Sequence, residues 1–270
     1  MYYYRLSCNT LQAEKYILYS EQNEKWGNSL DHYIIVFTVF GFVFLLAIAG
    51  YISWYMHFPQ KAKGKKKKIR VLCIGDSITF GYGVRFTRWK DSYPAILEKK
   101  LGAGVQVMNY GISGATLLSE SDRPYKDSFR DAARKTDPAI CILMLGTNDS
   151  KPHNWNAIAY EESLKKWINY LTGFPSEPKI ILMVPPAAFS IRQKPVAFSV
   201  QNDVLCEQIA PIMKRKAQAQ SLKLIDLYAQ TASHPEWFVD GVHPNKQGNQ
   251  AIADCVYPIV SAMLQGVTEI

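Results

Sequence analysis

The sequence predicts a three-layer α/β/α sandwich, built on a flavodoxin-like parallel sheet of five strands and preceded by one transmembrane helix. Two observations carry this. From residue 69 onward, short apolar runs alternate with amphipathic segments of helix length, as in a parallel sheet covered on both faces. Upstream, residues 33–55 run without a single charge, which is long enough to cross a hydrocarbon core of about 30 Å at about 1.5 Å per residue.

In chain order, residues 1–32 read as a disordered tail, with 11–19 as the alternative of a short amphipathic helix lying on a membrane. Residues 33–58 form the transmembrane segment. Tyr33, Tyr51, Trp54 and Tyr55 stand near its ends, where amphipathic aromatics prefer the interface. A cleaved signal peptide fits less well, because about thirty mostly polar residues precede an apolar stretch longer than the usual roughly 7–15. Residues 59–68 are a Lys-rich linker, and Lys61, Lys63, Lys65 to Lys68 and Arg70 crowd into this region.

That run explains the formal charge of +8. From Val71 onward there are 21 basic and 19 acidic residues, a net of +2. With no interleaved aromatics or recognition motif, a nucleic-acid partner is not expected. The first 32 residues hold only Arg5, Lys15 and Lys25, so the positive-inside rule puts the domain of residues 69–270 in the cytoplasm.

Within that domain the expected strands are 69–74, 105–108, 139–145, 179–184 and 222–225. The expected helices are 93–101, 127–135, 156–171, 199–220 and 246–264. Tyr160, Leu164, Trp167, Ile168 and Leu171 recur at helical spacing and are read as core. The five cysteines have neither even number nor metal-like spacing and are read as buried free thiols. No His-x-x-x-His, Cys-x-x-Cys or dinucleotide fingerprint occurs, so neither metal nor cofactor is expected.

Four short blocks stand out: Gly75-Asp76-Ser77-Ile78, Asn109-Tyr110-Gly111-Ile112-Ser113-Gly114, Gly146-Thr147-Asn148-Asp149 and Asp240-Gly241-Val242-His243. The first three follow candidate strands, so their loops converge where open α/β sheets bind ligands. Taken alone, each has a plainer reading. Gly-Asp-Ser is also a turn or helix N-cap, Asn-Asp a turn, and Asp-Gly a surface loop. Together they hold what acyl transfer through a serine needs: a hydroxyl, a base three residues after a carboxylate that can orient it, and donors for an oxyanion. A Ser77 at the start of a turn or helix leaves its own N–H free as such a donor. Asp76, Asp149 and Asp226 are read as structural carboxylates.

These blocks resemble those of the SGNH (GDSL-type) hydrolases over roughly residues 69–265. The resemblance implies Ser77 as nucleophile, Asp240 and His243 as acid and base, and an oxyanion hole of Ser77, Gly114 and Asn148. Through Gly75-Asp76-Ser77-Ile78-Thr79-Phe80-Gly81-Tyr82-Gly83, Gly146-Thr147-Asn148-Asp149-Ser150-Lys151-Pro152 and Asp240-Gly241-Val242-His243-Pro244-Asn245 the chain looks most like the carbohydrate O-acetylesterase branch, including sialate O-acetylesterase-like proteins. It implies a small-molecule or glycan ester as substrate. It also implies export, against the charge asymmetry. His153 and Trp155, just after the third block, are candidate substrate contacts. Two other readings stand beside this one: a lysophospholipase or thioesterase acting on lipid esters, and a membrane-tethered binding module without catalysis.

Overall fold

The structure is a computed structural model that describes residues 33–50 and 68–265, with Lys15, Leu18 and Tyr19 as separate positions upstream. The chain divides into two units, Met1–Phe58 and Pro59–Ile270. The remaining tail residues, positions 51–58 of the expected membrane segment and nearly all of the expected linker lie outside the described residues. Lys15, Leu18 and Tyr19 are helical, and the rest of the expected tail, with the alternative short helix over 11–19, lies outside the described residues.

In the first unit, α1 (Tyr33–Gly50) is long and apolar enough to cross a membrane, or to serve as a signal sequence. Its Phe37, Phe40, Phe42, Phe44, Leu45 and Leu46 are exposed. A helix apolar all round lacks the polar face that water requires. Thr38 turns its hydroxyl back onto the carbonyls of Ile34 and Ile35, at 2.9 and 2.8 Å, so it adds no unpaired donor to that surface.

The second unit runs β1 (Ile69–Gly75), α2 (Ser77–Phe80), α3 (Arg88–Asp91), α4 (Tyr93–Leu101), β2 (Val105–Gly111), α5 (Asp127–Arg134), β3 (Ile140–Met144), α6 (Ala157–Thr172), β4 (Lys179–Val184), α7 (Asn202–Val204), α8 (Ala210–Ala219), β5 (Lys223–Asp226), α9 (Leu227–Thr231) and α10 (Lys246–Gln265). All five strands are parallel, in the order β2-β1-β3-β4-β5. This is the flavodoxin-like doubly wound order, and its switch point lies between β1 and β3.

The strands read as near-continuous apolar runs because both faces are covered. Alternate residues serve two separate cores. Leu72, Ile74, Cys141, Leu143, Leu182 and Val184 pack with side chains of α5, α6 and α8. Val71, Cys73, Ile140, Ile142, Ile181 and Met183 pack with those of α4 and α10. In α6 the expected stripe is buried, and Asn156 caps the helix by accepting from Ala159 N–H at 3.0 Å.

The expected helix 199–220 is present as one helical run over residues 202–219, with a change of hydrogen-bond register inside it. After α7 comes a π-helical turn, Leu205–Ile209, and only then α8. Pro211 accounts for the wider π-turn, since it offers no N–H to the carbonyl four residues back and its ring crowds that carbonyl, while the chain stays helical. The short helices α2, α3 and α9 span four or five residues, too few for helical periodicity to register. Cys73 and Cys141 are buried free thiols as expected, and burial pushes Cys73 up to about 12. Cys206 is exposed and Cys255 half-buried, which corrects that expectation for both.

Candidate active site

Ser77 takes its place from the way β1 ends. Asp76 caps α2 by accepting from Ile78 N–H at 2.8 Å, and Ser77 is the first helical residue. Its own N–H therefore has no partner along the helix. The helix lies directly on the strand ends. Gly111 pairs with Gly75 in the register of β1 and β2, and a Cβ on Gly111 would run into the backbone of Phe80. Asn109 fastens the arrangement: Nδ2 donates to Thr79 O at 2.8 Å, and Oδ1 accepts from Gly111 N–H at 3.0 Å. Asp76 is fully buried. Burial pushes its carboxyl up to about 6 despite the Ile78 N–H that favours the anion.

The imidazole arrives on a tight loop closed by the Phe238–Pro244 bridge and by Val239 N–H donating to His243 O at 2.9 Å. Asp240 Oδ1 accepts from the N–H groups of Val242 and His243, at 3.0 and 2.8 Å. Its Oδ2 lies 2.7 Å from His243 Nδ1, and His243 Nε2 lies 2.9 Å from Ser77 Oγ. Burial pushes the Asp240 carboxyl upward, but the hydrogen bonds from the His243 side chain and backbone outweigh it and hold the carboxyl below its ordinary value. An ionised Asp240 keeps the proton on Nδ1, so Nε2 is left to accept from the serine hydroxyl. The rings of Tyr82 and Phe198 flank His243, with centroids 4.5 and 5.2 Å away, and the histidine is only 5% exposed.

Gly114 and Asn148 complete the cluster. Gly114 has a φ of +81°, in the left-handed region that favours glycine. A Cβ there would also meet Arg123 Cδ and Nη1, each at 2.8 Å. Asn148 follows β3 and donates from Nδ2 to Ala115 O at 3.1 Å, which orients its amide, while its backbone carbonyl accepts from Asn154 Nδ2 at 3.0 Å. Asp149, fully buried, accepts from Leu117 and Leu118 N–H at 3.0 and 2.8 Å and ties the second and third blocks together. Burial pushes its carboxyl up to about 7. Asp226 caps α9 through Ala229 N–H at 3.1 Å and pairs with Lys214 at 2.6 Å.

Ser77, Gly114, Asn148 and His243 line one cavity of about 190 Å³. Asp240 stands behind the histidine. His153 and Trp155, the expected substrate contacts, do not line the cavity. His153 is exposed and lies 3.2 Å from Asp122, while Trp155 donates to Gln208 at 2.9 Å and packs on Tyr160. Tyr82, Phe198, Arg123 and Lys151 line it instead. Only Tyr82 and Lys151 sat inside the quoted blocks, and nothing in the pattern marked Arg123 or Phe198. Among the described residues, no group of three His, Cys, Asp or Glu side chains is placed to hold a metal ion. Such an arrangement can take a proton from the Ser77 hydroxyl and offer hydrogen-bond donors to an oxygen beside it.

Known proteins resemble this chain in sequence and fold. An acetylxylan esterase from Xylanibacter ruminicola is 35% identical over 225 residues, which cover 76% of this chain and 45% of that protein. The chain thus spans about half the length of that relative. A carbohydrate acetylesterase family member from Sinorhizobium meliloti shares the fold at a TM-score of 0.60 with 24% identity, over 73% of this chain and 99% of that one. The native M. smegmatis aryl esterase does so at 0.61 with 20% identity, over 72% and 99%. The model of the GDSL-like Lipase/Acylhydrolase family matches residues 73–251, from the second half of β1 into α10, and the chain belongs to that family.

Proposed function

We propose that this protein is a serine carboxylic ester hydrolase that removes short acyl groups, above all acetyl, from a carbohydrate. The observation that carries the reading is the line from Asp240 through His243 to Ser77, at 2.7 and 2.9 Å, opening on a cavity that also holds Gly114 and Asn148. Ser77 Oγ attacks the ester carbonyl as His243 Nε2 takes its proton, and Asp240 stabilises the imidazolium that forms. The N–H groups of Ser77 and Gly114 and the amide of Asn148 hold the tetrahedral oxyanion. His243 then protonates the leaving alkoxide, and water enters by the same route to release the acid.

Two features support a short acyl group. The cavity of about 190 Å³ is below the roughly 300–1,000 Å³ of pockets for drug-sized ligands, and the Xylanibacter relative is named for acetyl ester cleavage. We read α1 as an uncleaved single-pass anchor. Hydrolysis of acetyl, butyryl, octanoyl and palmitoyl p-nitrophenyl esters by the full chain in detergent tests the proposal, with Ser77→Ala alongside. The expected result is a rate highest for acetyl, with turnover lowered by about 10⁴-fold or more in the variant. A Ser77→Ala protein with full turnover would overturn the mechanism. A rate rising toward palmitoyl would move the substrate to lipids.

A further inference from the structure

The cavity beside Ser77 is lined by two cations and no carboxylate. Arg123 and Lys151 both face it, and no Asp or Glu is among its lining residues. Among the described residues, neither cation forms an ion pair. The position of Arg123 is built rather than incidental. Its carbonyl accepts from the N–H and the hydroxyl of Thr116, both at 3.0 Å. Its side chain folds back so that Cδ and Nη1 each lie 2.8 Å from where a Cβ on Gly114 would stand. A glycine at position 114 therefore leaves room for the guanidinium next to the oxyanion donor.

The acidic neighbour in sequence, Asp122, forms no ion pair with either cation, although, against the effect of burial, Lys151 helps to hold its carboxyl below the ordinary value. Its nearest partners are instead Asn154, whose Nδ2 donates to Oδ1 at 2.7 Å, and His153, whose Nε2 lies 3.2 Å from Oδ2. The folded domain is otherwise close to neutral, so the charge is a property of this cleft. A concave site lined by one sign of charge concentrates the opposite sign within it.

We propose that the alcohol part of the ester is an acidic sugar, whose carboxylate is held by Arg123 and Lys151 while the acetyl group reaches Ser77. The planar guanidinium fork matches a carboxylate, and the ammonium adds a point charge beside it. The small cavity puts the acid and the ester on the same sugar residue or on adjacent ones. The inference rests on the ester-hydrolase reading above and names the substrate class of that site.

Acetate release by the full chain in detergent is measured for acetylated methyl glucuronoside and for its uncharged methyl ester. The expected result is a kcat/KM about tenfold or more higher for the free acid, a preference that shrinks as salt is added. In the Arg123→Gln, Lys151→Gln double variant the ratio of the two should fall to near one. A wild-type ratio of one or less overturns the proposal. So does a double variant that loses both substrates equally, because the cations would then serve the oxyanion or the fold. Calorimetric binding of methyl glucuronoside against methyl glucoside to the Ser77→Ala protein separates the two proposals. Selective binding of the acid without wild-type turnover sustains the acidic-sugar site and sinks the hydrolase. Turnover of neutral esters without any preference for the acid does the reverse.

Discussion

His243 is useful because both of its ring nitrogens are committed. Nδ1 faces an anionic Asp240 and Nε2 faces a serine hydroxyl. Replacing Asp240 by Asn should free the imidazole to take the wrong tautomer, and kcat should fall about 10⁴-fold with KM little changed. Initial rates on p-nitrophenyl acetate check this, and a loss of tenfold or less would contradict the role given to Asp240. The buried carboxylates also make stability depend on pH. Asp240 is held below its ordinary value, so its contribution is present above about pH 4 and is lost as pH falls through its folded value. Asp76 and Asp149, raised to about 6 and about 7, act in the opposite sense. Their contribution is full below about pH 4 and is lost as pH rises through those values. Thermal unfolding should therefore shift upward as pH drops from about 8 to about 5, and Asp149→Asn should flatten that slope. A wild-type melting temperature that does not vary across this range would argue against both shifts.

At the scale of elements, the site depends on how closely a four-residue helix approaches two strand ends. α2 can lie on β1 and β2 because Gly111 has no Cβ, and Asn109 then ties Thr79 back to the sheet. A Gly111→Ala chain must push α2 away from β2 and carry Ser77 with it, while Asp240 and His243 stay paired on their own loop. A misplacement of about 1 Å can cost about 10²-fold, so kcat on p-nitrophenyl acetate is expected to drop by about that factor in a protein that still unfolds cooperatively. Unchanged kcat would mean that α2 is not placed by this contact. Much of the element plan was legible beforehand. α6 was readable from its stripe, and β4 from an apolar run that begins after Pro178. β2 ran three residues past its expected end because Asn109, a polar residue that would ordinarily close a strand, finds its partners within the fold.

For the whole molecule, the two units make separate demands on their surroundings. The hydrolase domain buries its own two cores, whereas α1 exposes an apolar surface that lipid can cover. The full chain expressed in cells should sediment with membranes and resist alkaline carbonate extraction. The basic residues of 61–70 lead us to expect a tag after Ile270 to be shielded from protease in intact cells. A freely cleaved tag would put the domain outside and favour an extracellular glycan. Release by carbonate would remove the anchor altogether.

The sequence by itself determined the alternation of strands and helices, the apolar segment near the start, and the four blocks that hold Ser77, Gly114, Asn148, Asp240 and His243. These are local signals, because periodicity, charge and short spacing are properties of neighbouring residues. Only the tertiary structure decided which other side chains enter the cleft. Arg123 and Phe198 come from segments with no repeating pattern, and they line the same cavity as Ser77 because Thr116 pins one segment and His243 receives the ring of the other. His153 and Trp155 were near the third block in sequence and still turned to Asp122 and Tyr160. Proximity along a chain sets the reach of a side chain, but its direction is set by partners that folding brings from elsewhere.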